Sequence, residues 1–333
     1  MRVCLYLEGD MFLRKSGIGV ALERQKKALE KAGVEYTTNP RDDYDIIHIN
    51  TILPKSLLYA KLAKDKGKKV VMHAHTLEED TRNSFTMSNT LAPVFKKYLR
   101  FFYGQADHII CPSEYAKKQL EEYGLEQGIT AVSNGVELDK FEFSEKKRKA
   151  YRERYELDGI VPFSVGHVFV RKGVKTFIDV ARGFDQQFVW FGNVFHGALV
   201  KSKELEEALK SKPENVRFTG YVDNILAAYS AGDIFFFPSL AETQGIVILE
   251  AWAMGRPVLI RDLPVFRDWT HDEKDCLRAK TDDEFREYLR QLMEDRKLRD
   301  NLVKEGKKAV KEHSMEKVGL QLKGVYEEVL DES

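Results

Sequence analysis

Residues 234–255 read IFFFPSLAETQGIVILEAWAMG, and the fold follows from how they are parsed. IFFFPSL is a short apolar strand, AETQG a loop, and IVILEAWAMG an apolar helix closed by Gly255. Strand, short loop and helix in that order belong to a parallel sheet covered on both faces. The first N–H groups of the helix, those of Gly245, Ile246 and Val247, lack intrahelical partners and can receive a phosphate or a sugar hydroxyl. Glu242 stands in the loop. Glu250 stands inside the apolar run, where an unpaired carboxylate is costly to bury, but its two oxygens can accept from a vicinal diol. A salt bridge from Glu250 to Arg256 is the plain structural alternative.

The same alternation continues upstream. Strands are expected at 161–168, 187–193 and 216–220, with helices at 173–184, 203–211 and 225–232. Earlier strands fall at 3–8, 45–50, 69–75, 106–113 and 129–136, with helices at 19–33, 55–67 and 114–124. This rhythm specifies two doubly wound α/β domains. The charged stretch FEFSEKKRKAYRERY (141–155) interrupts it. The domains are therefore drawn as 1–140 and 141–313, and the last helix, within 314–333, is a candidate to pack back on the first. Ligands of such sheets sit beyond the C-terminal strand ends, so the loops there are where chemistry is sought.

Composition narrows the class. With 333 residues there is room for two domains of ordinary size. Lys+Arg and Asp+Glu are equal at 53 each, so no nucleic-acid partner is expected. No apolar run reaches the roughly 18–20 residues that span a bilayer, and MRVCLYLEGD is not expected to be a signal peptide. Three scattered cysteines (Cys4, Cys111, Cys276) point to a reducing, cytoplasmic compartment and away from a disulfide scaffold or zinc site.

Two further loops can carry chemistry. In KSGIGVALERQ, Gly17 and Gly19 open a helix after the first strand, where backbone N–H groups can meet an anion. A dinucleotide fingerprint needs glycine at 22 and an acid ending the second strand. Leu22 and Asn50 stand there, so a nicotinamide cofactor is disfavoured, and a glycine turn without a ligand is the alternative. In VGHVFVRKGVKTF, His167, Arg171 and Lys172 follow Gly166, and two fixed positive charges beside a helix start suit a diphosphate. The D-x-D within DDYD (42–45) reads as a solvated turn, and His73 with His75 lacks a third ligand, so no metal is expected. There is no G-x-S-x-G hydrolase elbow.

Glu242 and Glu250, followed by LEAWAMGRPV, resemble the E-x7-E motif of retaining glycosyltransferases of family 4, which have the GT-B fold. The supporting pieces occur in that family's order: the Gly17/Gly19 loop, VVMHAHT, VSNGV, VGH…RKG, FTGYV and FPS…E. The resemblance implies two Rossmann-like doubly wound domains facing a central cleft, acceptor on the first and nucleotide sugar on the second. It implies a retaining hexosyltransferase that takes a nucleotide-diphosphate sugar, UDP-glucose or UDP-galactose, by metal-independent front-face substitution and without a cofactor. Carried over by position, Glu250 holds the ribose diol and Glu242 the donor sugar. Lys172 binds the diphosphate, and Thr243, Gln244, Gly245 and Ile246 line the donor together with Gly220 and Tyr221. His75 stands near the reacting sugar, with His73 as its competitor. Glu242, His75 and Lys172 form the catalytic set. His167 replaces the family's arginine, and either Arg171 or His167 itself supplies that contact.

LYLEGDMFLRKSGIGVALERQKKAL, PRDDYDIIHINT and MHAHTLEEDTRNSF are similar to Gram-positive enzymes that glycosylate diacylglycerol glycolipids, which implies a diacylglycerol or glucosyldiacylglycerol acceptor. The stretch LAPVFKKYLRFFYGQAD (91–107) speaks to the same question. At helical spacing Phe95, Leu99 and Phe102 share one face, and Lys96 and Arg100 another, with Lys97 beside them. A basic amphipathic helix suits an anionic membrane surface, so Lys96, Lys97, Arg100 and Phe102 are assigned to the membrane or acceptor side of a peripheral enzyme on the inner face of the membrane. A helix packed on the sheet by its aromatic face is the structural alternative. The functional alternatives are a soluble or polysaccharide acceptor and a non-catalytic nucleotide-binding module.

Overall fold

The computed structural model describes residues 1–9, 13, 16–78, 88–194 and 203–332, the side chains of 88–91 apart. One compact unit holds Met1–Asp80, Thr90–Glu137 and His313–Ser333, and a second holds Leu138–Glu312. Each is built on a six-stranded, all-parallel sheet.

The first sheet comprises β1 (Arg2–Tyr6), β2 (Glu35–Thr37), β3 (Ile46–Ile49), β4 (Lys69–His73), β5 (His108–Cys111) and β6 (Gly128–Ala131), in the order β2-β1-β3-β4-β5-β6. Strand direction of travel reverses between β1 and β3, which makes that gap the switch point of the sheet. Side chains alternate between faces, as strand geometry requires. Val3, Leu5, Ile46, Val71 and Ile110 pack under the helices Gly17–Lys31 and Met315–Asp331. Cys4, Ile47, Ile49, Val70, Met72 and Ile109 pack under Pro54–Asp65 and Ser88–Tyr103. The last helix thus completes the first core, and Gly319 lets it press against the Gly17–Lys31 helix: a Cβ there would lie 2.1 Å from the Ala28 carbonyl oxygen.

The second sheet comprises β7 (Pro162–Val165), β8 (Phe188–Phe191), β9 (Val216–Phe218), β10 (Ile234–Phe237), β11 (Val258–Arg261) and β12 (Leu277–Ala279), in the order β12-β11-β10-β7-β8-β9. Here the reversal falls between β7 and β10. The core is aromatic: Phe163, Phe177, Phe188, Trp190, Phe235 and Phe236 are fully buried, and rings such as Phe177 and Trp190 meet edge to face with centroids 5.1 Å apart. The charged stretch after residue 141 contains the helix Glu145–Tyr155, whose Arg148 and Arg152 both bind Asp233, at 2.7 and 3.1 Å.

Gly319→Ala is expected to destabilise the protein by about 1–3 kcal/mol, because two helix backbones must separate to admit one methyl group. Urea unfolding measures this; an unchanged midpoint would show that the two helices do not bear on each other.

Candidate active site

The loops after β7 and β10 emerge side by side at the switch point of the second sheet. Gly173 brings them together. It has φ +71°, and a Cβ would lie 2.0 Å from the Pro238 carbonyl oxygen, so no other residue fits without moving backbone. The preceding turn Val170–Lys172 then places Lys172 Nζ 2.5 Å from Glu242 Oε1. Ser239, wholly buried, puts its hydroxyl 2.7 Å from the same carboxylate oxygen, while the Leu240 N–H donates to the Arg171 carbonyl at 2.7 Å. Arg171 itself reaches the Ala241 carbonyl at 3.4 Å.

The pair is nearly dry, with side-chain exposures of 14% for Lys172 and 7% for Glu242. Burial pushes the Glu242 pKa up. The charges of Lys172 and Arg171, with hydrogen bonds from Lys172 and Ser239, outweigh burial and hold it below its ordinary value. An anionic glutamate and an ammonium are thereby kept together at one strand end.

The helix Ile246–Ala253 begins at Gly245 with no side-chain cap, leaving its first amides for another acceptor. Glu250 is buried within it, and the Tyr229 hydroxyl donates to Oε2 at 2.7 Å. Arg256, the alternative partner considered for Glu250, lays its guanidinium over the Phe143 ring at 4.8 Å. Gln244 is buried, and Thr243 half-buried. Along the same sheet, Gly220 accepts from the Gly192 N–H, Tyr221 is exposed, and His167 meets the Phe169 ring edge-on. Ser239 and Tyr229 escaped the sequence reading; a tyrosine in the alanine-rich ILAAYSAG, needing a polar partner once buried, was the available signal.

In the first unit, the strand ends of β3 and β4 carry a second polar cluster. His73 and His75 stack with centroids 4.0 Å apart, and His48, not singled out by sequence, stacks on His73 at 5.3 Å. Burial lowers all three: His48 and His75 to about 3, and His73, with the charges of its neighbours adding to the effect, well below its ordinary value. The rings are neutral at physiological pH. Gly19 offers less than its motif suggested, because its N–H is taken at 3.3 Å by the capping hydroxyl of Ser16. Both aspartates of the D-x-D turn are engaged, Asp43 by Lys68 Nζ at 3.1 Å and Asp45 by the Arg2 N–H at 2.8 Å.

The helix Ser88–Tyr103 corrects one assignment. Phe102 is 1% exposed, in the core beside Leu99 and Tyr103, because the face it shares with Phe95 and Leu99 is the one turned to the sheet. Lys96 lies over the Tyr123 ring at 4.7 Å. The outward face instead presents Val94 (65% exposed), Lys97, Arg100 and Phe101 (58%). Lys15 of the glycine loop and residues 10–12, 14 and 79–85 of the quoted stretches lie outside the described residues.

The sequence profile described as "Glycosyl transferases group 1" matches residues 145–309, and that described as "Glycosyltransferase Family 4" matches 27–140. The chain is 38% identical to the processive diacylglycerol alpha-glucosyltransferase of Acholeplasma laidlawii, over 99% of both chains. It is 30% identical to the alpha-monoglucosyldiacylglycerol synthase of Streptococcus pneumoniae, over 69% of this chain and 54% of that one. Among solved structures, Anabaena Alr3699/HepE in complex with UDP and glucose superposes with TM-score 0.80 at 16% identity, covering 98% of this chain and 100% of that one. Sucrose-phosphate synthase from Thermosynechococcus elongatus gives 0.82 at 17% identity over the full length of both. Fold and sequence together define the class, a glycosyltransferase of the GT-B fold. Within that class the chain belongs to glycosyltransferase family 4, the group 1 glycosyl transferases.

Since the folded pKa of Glu242 lies below its ordinary 4.5, the stability its pairing contributes is present above that pH and fades as pH falls through the lowered value. Lys172→Ala should cost about 3 kcal/mol at pH 7, and the gap from the parent protein should close toward pH 3. A gap that does not change with pH, measured by unfolding, contradicts the pairing.

Proposed function

We propose that the protein transfers a glucosyl or galactosyl residue from a UDP-sugar to the hydroxyl of diacylglycerol or glucosyldiacylglycerol, with retention and without a metal. The observation that carries the acceptor is the full-length likeness to a processive diacylglycerol alpha-glucosyltransferase. That relative's α-linked product also supports retention, since UDP-glucose carries its sugar α-linked. UDP in the HepE complex supports the choice of base.

In this reading the loops after β7 and β10 bind the donor. Lys172 leaves Glu242 for the diphosphate, and together with Arg171 and the amides at Gly245 it stabilises the charge that develops on the leaving group. Glu242, freed, accepts from hydroxyls of the transferred sugar. Glu250, already oriented by Tyr229, accepts from the ribose diol. Electrostatic stabilisation of the leaving group by fixed cations does the work that a divalent metal does elsewhere, and the acceptor hydroxyl attacks on the face from which the diphosphate departs. The outward face of Ser88–Tyr103, with Lys97, Arg100, Val94 and Phe101, suits a peripheral contact with an anionic bilayer holding the acceptor. Among the described residues, no helix is long and apolar enough to cross a membrane.

Incubation with UDP-glucose or UDP-galactose and anionic vesicles containing diacylglycerol or glucosyldiacylglycerol should yield an α-linked product at a rate unaffected by EDTA. No transfer from either donor to either acceptor refutes the reading. Glu250→Ala should weaken UDP binding about ten- to hundredfold, whereas Glu242→Ala should reduce turnover and leave UDP affinity nearly intact. Equal losses of affinity in calorimetry would contradict that division. The combined Lys97→Glu, Arg100→Glu, Phe101→Ser variant should lose flotation with anionic vesicles; flotation equal to that of the parent protein rules out this face.

A further inference from the structure

We propose that Tyr326 is a positioning residue that keeps the proton of His75 on Nε2, so that the ring presents an unprotonated Nδ1 to a hydroxyl at the reacting centre. The placement of that hydroxyl rests on the reading of His75 as facing the transferred sugar; the proton order does not.

Four side chains of the first unit connect the two residues. The Tyr326 hydroxyl, on the last helix, lies 2.6 Å from His48 Nδ1. His48 Nε2 lies 3.2 Å from His73 Nδ1, and Gln25 Nε2 lies 3.0 Å from that same nitrogen. Gln25 Nε2 also lies 2.8 Å from Asn50 Oδ1, which in turn lies 2.9 Å from His75 Nε2. Each neutral imidazole has one donor and one acceptor nitrogen, and each amide has distinct ends, so the proton arrangement must be consistent along the whole chain.

Two orders satisfy it internally. In the first, Tyr326 donates to His48, His48 Nε2–H and a Gln25 N–H share the single lone pair of His73 Nδ1 as a three-centre contact, and Gln25 and His75 Nε2–H both donate to Asn50 Oδ1. In the second every bond is reversed, both amides are turned over, and His75 carries its proton on Nδ1. Features at both ends select the first. Tyr326 is wholly buried, and its hydroxyl has His48 as its hydrogen-bond partner among the described residues, so the reversed order strands its proton. At the other end Asn50 Nδ2 faces the His48 carbonyl at 3.5 Å, and reversal would set two oxygens against each other there. The first order leaves one buried proton without a partner, that of His73 Nε2–H, beside the bare Gln25 Oε1, whereas the second strands the Tyr326 proton and puts the turned-over Gln25 NH2 group in that unpartnered place, so the first order strands fewer protons.

Nothing in catalytic contact needs to touch Tyr326 for this to operate. Its removal frees the chain to populate the reversed order, in which His75 offers an N–H where the hydroxyl requires an acceptor. The test is Tyr326→Phe, which deletes one oxygen and keeps the ring. In ¹⁵N-histidine-labelled parent protein, the ring spectra of His48, His73 and His75 should all show Nε2 protonated and Nδ1 bare. In the variant His75 should show a mixture, and kcat should fall about fivefold while the Kd for UDP stays unchanged. A parent His75 protonated on Nδ1, or a variant whose ring spectra match the parent's, overturns the proposed proton order. A shifted tautomer with unchanged kcat leaves that order standing and removes His75 from the reacting centre.

Discussion

One ion pair organises the second unit: Lys172 on Glu242, nearly excluded from water at the gap between β7 and β10. Two loops must meet there at backbone contact, which Gly173 permits against Pro238, and the pair closes over the junction. A buried pair of this kind is weak evidence for stability on its own, since matching apolar side chains commonly do as well. Its value lies in what it stores. Two opposite charges are held desolvated and oriented at a strand end, and in the proposed function a substrate's phosphates and hydroxyls replace each partner for the other.

The two units answer the same topological question with different chemistry. Both sheets reverse their direction of travel, between β1 and β3 in one and between β7 and β10 in the other, and both gather polar side chains at the strand ends near that gap. In the second unit the group is charged and suited to a diphosphate. In the first it is a set of neutral imidazoles and amides with ordered protons. The last helix belongs to the first core and contributes Tyr326 to that set, so the end of the chain bears on the polar cluster as well as on packing.

The fold was legible because its strongest signals are local. Apolar runs such as IFFF and VVMH alternate with amphipathic helices, and the Glu242, Glu250 and Lys172 loops lie where parallel sheets bind ligands. Two of the short edge strands were not legible: Glu35–Thr37 and Leu277–Ala279 have three residues each, with charged members, and pairing with a neighbour rather than pattern makes them strands. Helical spacing grouped Phe102 with Phe95 and Leu99 correctly, yet spacing cannot say which face meets the sheet, so the outward aromatic, Phe101, was passed over. Some partners were hidden for another reason. Gln25 and Tyr326 act through contacts with residues distant in sequence, and single positions in a sequence carry no mark of them.

The account is tested most directly by a crystal structure with UDP-glucose bound. It predicts Lys172 Nζ on the diphosphate and no longer on Glu242, the Glu242 carboxylate on glucose hydroxyls, and Glu250 on the ribose diol while still held by Tyr229. A nucleotide bound elsewhere, or one bound with the Lys172–Glu242 pair unbroken, would contradict it.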